Sequence, residues 1–207
     1  MAYQLEVVDL NSLPPAPEVL SEQELDFFNH LKIQKRKTEW LGGRLALKKL
    51  LCAQLGASWK DSQILAPGGV GKPTVTIGGQ AVNIPFSLTH SNGFAVAAIA
   101  PDNKYIGIDL EKVSPRIGAW KNTFFHPSEL VREDDVFLTT LWTQKEAVVK
   151  LLGSGLTINT LEVRIVNATA KLSGRALELY NTLGAPEIAL QTSSLLPGFC
   201  FSVAIGN

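Results

Sequence analysis

The chain has 207 residues, 45% hydrophobic and 18% charged, which suffices for one sizeable core or two small ones. Its formal net charge is +0, so no global field selects nucleic acid or an acidic membrane, and any anionic ligand must be met by local cations. Met1 to Leu10 lacks a basic n-region before an apolar run, the longest apolar stretch, Phe94 to Pro101, is far too short to cross a bilayer, and Cys52 and Cys200 have no neighbours at metal-ligand spacing. A reduced cytoplasmic protein with two buried structural thiols is expected.

After the Pro-rich stretch 13–17, Ser21-Glu22-Gln23-Glu24 has the capping-box pattern and predicts a helix to about Asn29. A second helix is expected from Lys35 to Leu55, closed by Gly56. The loop 67–73 leads into a strand from Thr74 to Ile77. Phe86 to Thr89 and Phe94 to Ala100 read as a hairpin around Ser91-Asn92-Gly93. Tyr105 to Val113 reads as a buried strand. Pro127-Ser128-Glu129 resembles a helix start, and Asp134 to Leu152 carries a long apolar stripe ended by Gly153. The remainder reads as strands: 162–167, 171–172, 187–192 and 199–205. Helix followed by short antiparallel strands, twice over, predicts an α+β fold with two similar-sized halves meeting near residues 102–112. No residue-level internal repeat is visible.

Chemistry concentrates in few places. Asp109 and Glu111 stand two apart on the predicted strand, so both point to one face, away from Ile106, Ile108 and Leu110. Paired carboxylates on one sheet face repel unless they are solvated, share a proton or hold a cation. Glu146 and Lys150 are four apart on the later helix. They read either as an ordinary surface pair or as a third carboxylate with a cation docked beside the first two. Three carboxylates with room for water would suit magnesium. Lys72, between Gly71 and Pro73, is a solvated turn lysine or a phosphate contact; the loop lacks P-loop spacing. Thr89 and His90 end a strand beside a tight turn, either as a capped hairpin or as a phosphate-binding corner. The basic helix places Arg36, Arg44 and Lys48 roughly on one face, a solvated face unless an arginine reaches an adenine or phosphate.

Taken in order, Gly71-Lys72-Pro73, Phe86 to Ser91, Ile106 to Glu111 and Trp142 to Lys150 resemble the 4′-phosphopantetheinyl transferase superfamily, with looser likeness at Gly42-Gly43-Arg44 and Phe124 to Glu129. The likeness spans about residues 36–156, and the length resembles the surfactin-synthetase-activating type. That resemblance implies two pseudo-symmetric halves, each a helix packed on a small antiparallel sheet, with residues 1–103 as the N-terminal half and 104–207 carrying the metal carboxylates. It implies transfer of the 4′-phosphopantetheine arm of coenzyme A to a serine of an apo acyl or peptidyl carrier protein, with Mg2+ and release of adenosine 3′,5′-bisphosphate. Asp109, Glu111 and Glu146 would hold the metal, Glu146 and Lys150 would be catalytic, and Arg36, Arg44, Lys72, Thr89, His90 and Lys150 would bind coenzyme A. The protein is expected to act as a monomer, a pseudo-dimer, without nucleic acid or membrane. Thr89 stands where many relatives have serine, which keeps the hydroxyl. A non-catalytic coenzyme A- or nucleotide-binding protein is the alternative, and a magnesium-dependent phosphohydrolase a third. Ile117, Trp120, Phe124 and Phe125 would either dock the carrier or complete the second core.

Overall fold

The computed structural model describes residues 3–66, 71–101, 104–115, 118–153 and 157–207. The chain forms two compact units, Met1–Asp102 and Asn103–Asn207. The class is α+β, and each unit packs a long helix on a small antiparallel sheet.

The first unit runs β1 (Gln4–Asp9), α1 (Ala16–Val19), α2 (Glu22–His30), α3 (Gln34–Leu55), β2 (Ser62–Leu65), β3 (Thr74–Ile77), β4 (Gln80–Val82), β5 (Phe86–Ser91) and β6 (Phe94–Ile99). Its main sheet has the order β1-β6-β5, and β2-β3-β4 form a second. The expected capping box is present: Ser21 Oγ accepts from the Glu24 amide while Glu24 accepts from the Ser21 amide. Gly56 ends α3 in the left-handed region. The β5–β6 turn has positive φ at both Asn92 and Gly93, as a two-residue primed turn demands. Leu41, Leu45, Leu51, Val96 and Ala97 are buried in this unit.

The second unit runs β7 (Tyr105–Lys112), α4 (Gly118–Phe124), α5 (Asp135–Leu152), β8 (Val163–Val166), β9 (Thr169–Leu172), α6 (Gly174–Thr182), β10 (Ile188–Ser193) and β11 (Phe199–Gly206). Its sheet has the order β10-β11-β7. Asp134 caps α5 through the Phe137 amide and Gly153 closes it. The topology therefore repeats: a first strand, a long helix, then a late hairpin whose second strand takes the middle of the sheet.

Several elements differ from the sequence reading. β1 was not expected, because only Val8 of its residues is buried and the acid at Glu6 breaks an apolar run. The short strands β2 and β4 carry too little periodicity to be seen. Residues 174–182, to which the sequence reading assigns no element, form helix α6. The start of α6 is capped from a distance, by Glu162 accepting from the Ala176 amide at 3.0 Å, so no local cap signal marks it. Cys52 is exposed and only Cys200 is buried, so the expectation of two buried thiols fails for the first. Lys48 is not on a solvated face: it is fully buried, as is Lys145 of α5.

Candidate active site

The acidic cluster belongs to the second unit. β7 is an edge strand paired with β11, with Asp109 opposite Ser202 and Glu111 opposite Cys200. Alternation puts Gly107, Asp109 and Glu111 on one face. That face meets α5: a Cβ on Gly107 would lie 1.9 Å from the Ala147 carbonyl oxygen, so only glycine lets the helix come this close. Asp109 is buried and Glu111 half-buried. From α5, Lys150 Nζ lies 2.7 Å from Asp109 Oδ1.

Glu146 is half-buried on the same helix. Its carboxyl is pushed above the usual carboxylate range, first by burial and then by the charges of Asp109 and Glu111, with Lys150 opposing. The docked alternative for the Glu146–Lys150 pair is thus the one the structure supports: both side chains interact with the β7 acids. An all-oxygen, all-carboxylate donor set suits a hard divalent cation that completes its shell with water and phosphate oxygens. Among the described residues no three His, Cys, Asp or Glu side chains already converge at metal-holding distance, and the Lys150 ammonium stands on one Asp109 oxygen.

The cationic residues of the basic helix and the hairpin belong to the first unit. Arg36, Arg44, Thr89 and His90 line one cavity of about 460 Å3, together with Trp40 and Glu39. Lys72 is exposed between two lining residues, Gly71 and Pro73. The Arg44 guanidinium lies 4.0 Å from the Trp40 ring centre, and Nε donates to the Ile64 carbonyl at 3.3 Å. Burial pushes Arg44 down to about 10, against the opposing charge of Glu24. His90 Nδ1 is 3.6 Å from Glu39 Oε1, which also faces Lys35 at 3.8 Å. A cavity with two arginines, a hydroxyl, an imidazole and an indole face is suited to a flat base carrying phosphate.

Sequence reasoning missed Glu39 and Trp40 as lining residues. The signal was present, since Trp40 and Arg44 are one turn apart on α3. It also missed the buried partners Glu24 and Glu129, which meet Lys48 and Lys145. Trp120 and Phe124 pack against Trp142 at ring separations of 5.3 and 5.0 Å, and Phe125 is buried, so these aromatics stack on one another within the second core. Ile117 lies outside the described residues.

The sequence profile of the 4′-phosphopantetheinyl transferase superfamily matches residues 105–194. A holo-(acyl-carrier-protein) synthase of Geobacillus sp. (strain WCH70) is 34% identical over 87 residues, covering 39% of this chain and 71% of that protein. The chain belongs to the 4′-phosphopantetheinyl transferase superfamily. It is also similar to the 4′-phosphopantetheinyl transferase psf-1 of Bacillus pumilus, 31% identical over 144 residues, or 65% of this chain and 57% of that one. The chain thus spans less than two thirds of the length of the first curated relatives it matches. A solved structure described as a Chronobacterium ammoniagenes ACPS-CoA complex aligns with 51% of this chain and 98% of its own, at 19% identity and a TM-score of 0.42.

Proposed function

We propose that the protein transfers the 4′-phosphopantetheine arm of coenzyme A to a serine hydroxyl of an apo carrier protein and releases adenosine 3′,5′-bisphosphate. The observation that carries this reading is the trio Asp109, Glu111 and Glu146 with Lys150 on Asp109, within the stretch that the superfamily profile matches. In the reaction the serine oxygen attacks the pantetheine-bearing phosphorus, the phosphoanhydride bond breaks, and the bisphosphate leaves with the bond's electron pair. The serine proton must go elsewhere. Glu146, the acid on α5 that interacts with Asp109 and Glu111, is the acceptor this reading assigns. Lys150 offers a fixed cation to the charge that builds on the leaving group. Asp109, Glu111 and Glu146 would hold Mg2+, which supplies charge neutralisation at the pyrophosphate when bound.

This reading assigns the nucleotide end of coenzyme A to the first unit's cavity. Arg36, Arg44, Thr89 and His90, with Lys72 at its edge, would meet the base and the phosphates. Residues 1–103 would thus bind, and residues 104–207 would carry the reacting acids. The reading takes the protein to act as a cytoplasmic monomer and to need neither nucleic acid nor membrane. Among the described residues no helix is long and apolar enough to cross a membrane.

The test is an apo carrier protein incubated with coenzyme A, Mg2+ and this protein, followed by intact mass. The carrier gains the mass of the arm with the wild-type chain, and Glu146→Gln slows that gain by at least ~10²-fold. No gain across acyl, peptidyl and aryl carriers overturns the transferase reading. Binding of coenzyme A without any gain would favour the non-catalytic alternative.

A further inference from the structure

In the first unit β2 stands at the edge of its sheet, paired with β3. An edge strand leaves the outward N–H and C=O of alternate residues to find partners elsewhere. At Ser62 and Ile64 those partners come from α3 and α2. Lys48 Nζ donates to the Ser62 carbonyl at 2.5 Å, and Arg44 Nε to the Ile64 carbonyl at 3.3 Å. The two cations are one helix turn apart, about 6 Å, and the two carbonyls two strand residues apart, about 6.8 Å, so α3 matches the strand edge. On the same edge the Ile64 amide donates to Glu24 Oε1 at 2.8 Å. The other Glu24 oxygen accepts from Lys48 Nζ at 2.5 Å and from the Ser21 amide at 2.9 Å.

Arg44 is thereby held on several sides. Ile64 takes its Nε, and the guanidinium lies 4.0 Å from the Trp40 ring centre. Trp40 stacks in turn on Phe27 of α2, ring centres 5.3 Å apart. The charge of Glu24 opposes the loss of charge that burial drives at Arg44. Phe27, Trp40 and Arg44 all line the cavity, as do Leu65 and Ala66, the two residues after Ile64. Among the described residues Nη1 and Nη2 of Arg44 meet no protein acceptor, so the donors left on the fork are those a phosphate would take.

The second unit repeats the buried pair without the arginine. Lys145 Nζ lies 2.8 Å from Glu129 Oε2, and Glu129 Oε1 accepts from the Ile165 amide at 2.7 Å. One turn before Lys145 stands Leu141, buried, where Arg44 stands before Lys48. A Lys–Glu pair clamped on a strand amide is thus common to both units. What the first adds is a cation at a cavity.

We propose that Glu24 is a positioning residue for Arg44. Its carboxylate, neutralised by Lys48, fixes the Ile64 peptide, and the carbonyl of Ile64 fixes the guanidinium at the cavity wall. Glu24 is wholly buried and acts only through these neighbours. That the cavity takes nucleotide phosphates rests on the transfer reading above; that Glu24 sets Arg44 through Ile64 does not.

The test is a double-mutant cycle read by calorimetry with adenosine 3′,5′-bisphosphate, without carrier or metal, at a temperature where near-ultraviolet circular dichroism shows every variant folded. Arg44→Lys, which loses the bond to Ile64, weakens binding about 10-fold, the loss of one charge-assisted hydrogen bond. Glu24→Gln removes the charge that holds Lys48 and weakens binding at least about 5-fold, yet in the Arg44→Lys background it costs less than about 2-fold more. Glu129→Gln, its counterpart in the second unit, leaves the affinity within about 2-fold of wild type. If Glu24→Gln does not fold, Glu24→Asp takes its place with the same expectation, since it keeps the charge but shortens the reach to Ile64 by one methylene. A second readout needs no ligand: the Arg44 Nε–H signal in NMR, assigned by its loss in Arg44→Lys, exchanges with solvent at least about 10-fold faster in Glu24→Gln and at the wild-type rate in Glu129→Gln. Losses that multiply in the double variant, equal weakening by Glu129→Gln, or an unchanged Nε–H exchange rate overturns the proposal. Failure of arm transfer with nucleotide binding intact would strike only the transfer reading. A wild-type chain that binds no nucleotide would strike the assignment of the cavity, and the Nε–H exchange would still decide the role of Glu24.

Discussion

Lys150 Nζ sits 2.7 Å from Asp109 Oδ1, so the helix and the edge strand of the second unit are joined by a partly buried ion pair beside Glu146. The ammonium opposes the rise in Glu146's proton affinity that burial and the β7 acids impose. One cation thus answers to two carboxylates, and its removal has consequences at both.

Lys150→Ala should lower turnover by about 10²–10³-fold if the ammonium faces leaving-group charge, the range for losing one preorganised electrostatic contact. Steady-state kinetics with coenzyme A as the varied substrate separates the outcomes. A change in KM alone would assign Lys150 to ground-state binding, and no change in either constant removes it from the mechanism.

The pH dependence of stability follows from Glu146. Its folded-state proton affinity is raised, so its protonated form favours the fold. That contribution is fully present below the unfolded value of about 4.3 and is lost as pH rises through the higher folded value. Unfolding midpoints across a pH series should therefore fall for the wild-type chain relative to Glu146→Gln as pH rises above the ordinary carboxylate range. Parallel curves for the two proteins would contradict the raised affinity.

Lys48→Met leaves Glu24 buried without its cation and should cost about 3–5 kcal/mol. Adding Glu24→Leu removes the stranded charge and should recover much of that loss, because an apolar pair of similar volume often replaces a buried ion pair at little cost. Chemical denaturation of the single and double variants decides the matter. A double variant no more stable than Lys48→Met would mean that Glu24's backbone contacts, not its charge, hold the unit.

Gly107→Ala places a methyl 1.9 Å from the Ala147 oxygen and 2.4 Å from the Leu151 nitrogen, both backbone atoms that cannot rotate away. The helix must shift, at a cost at or above the ~1–3 kcal/mol of ordinary overpacking. Gly43→Ala is the contrast: its nearest outside atom is a Leu88 methyl at 3.9 Å. There helix propensity should dominate and stabilise by up to ~1 kcal/mol. Melting temperatures moving the same way for both would refute the close-approach account.

Much of the second unit's chemistry was legible because strand and helix periodicity are local. Alternation put Asp109 and Glu111 on one face, and helix spacing put Glu146 and Lys150 on another. The capping box at Ser21 and Glu24 announced a helix, but not that Glu24 would also neutralise a lysine from α3. Lys48 and Lys145 look like solvent-facing cations in any local window, since only burial by distant segments makes them core residues. Helix α6 was hidden for the same reason, its cap coming from Glu162.

By itself, then, the sequence determined the α+β class, the two long helices with their caps, the β5–β6 and β7 strands, and the cast of acids and cations, all features set by neighbours within a few residues. Only the tertiary structure decided that the Glu146–Lys150 pair docks on β7, that Arg36, Arg44, Thr89 and His90 share one cavity, and that a buried Lys–Glu pair recurs in both units. Those depend on desolvation and on contacts between residues far apart in the chain, which no pattern of neighbours encodes.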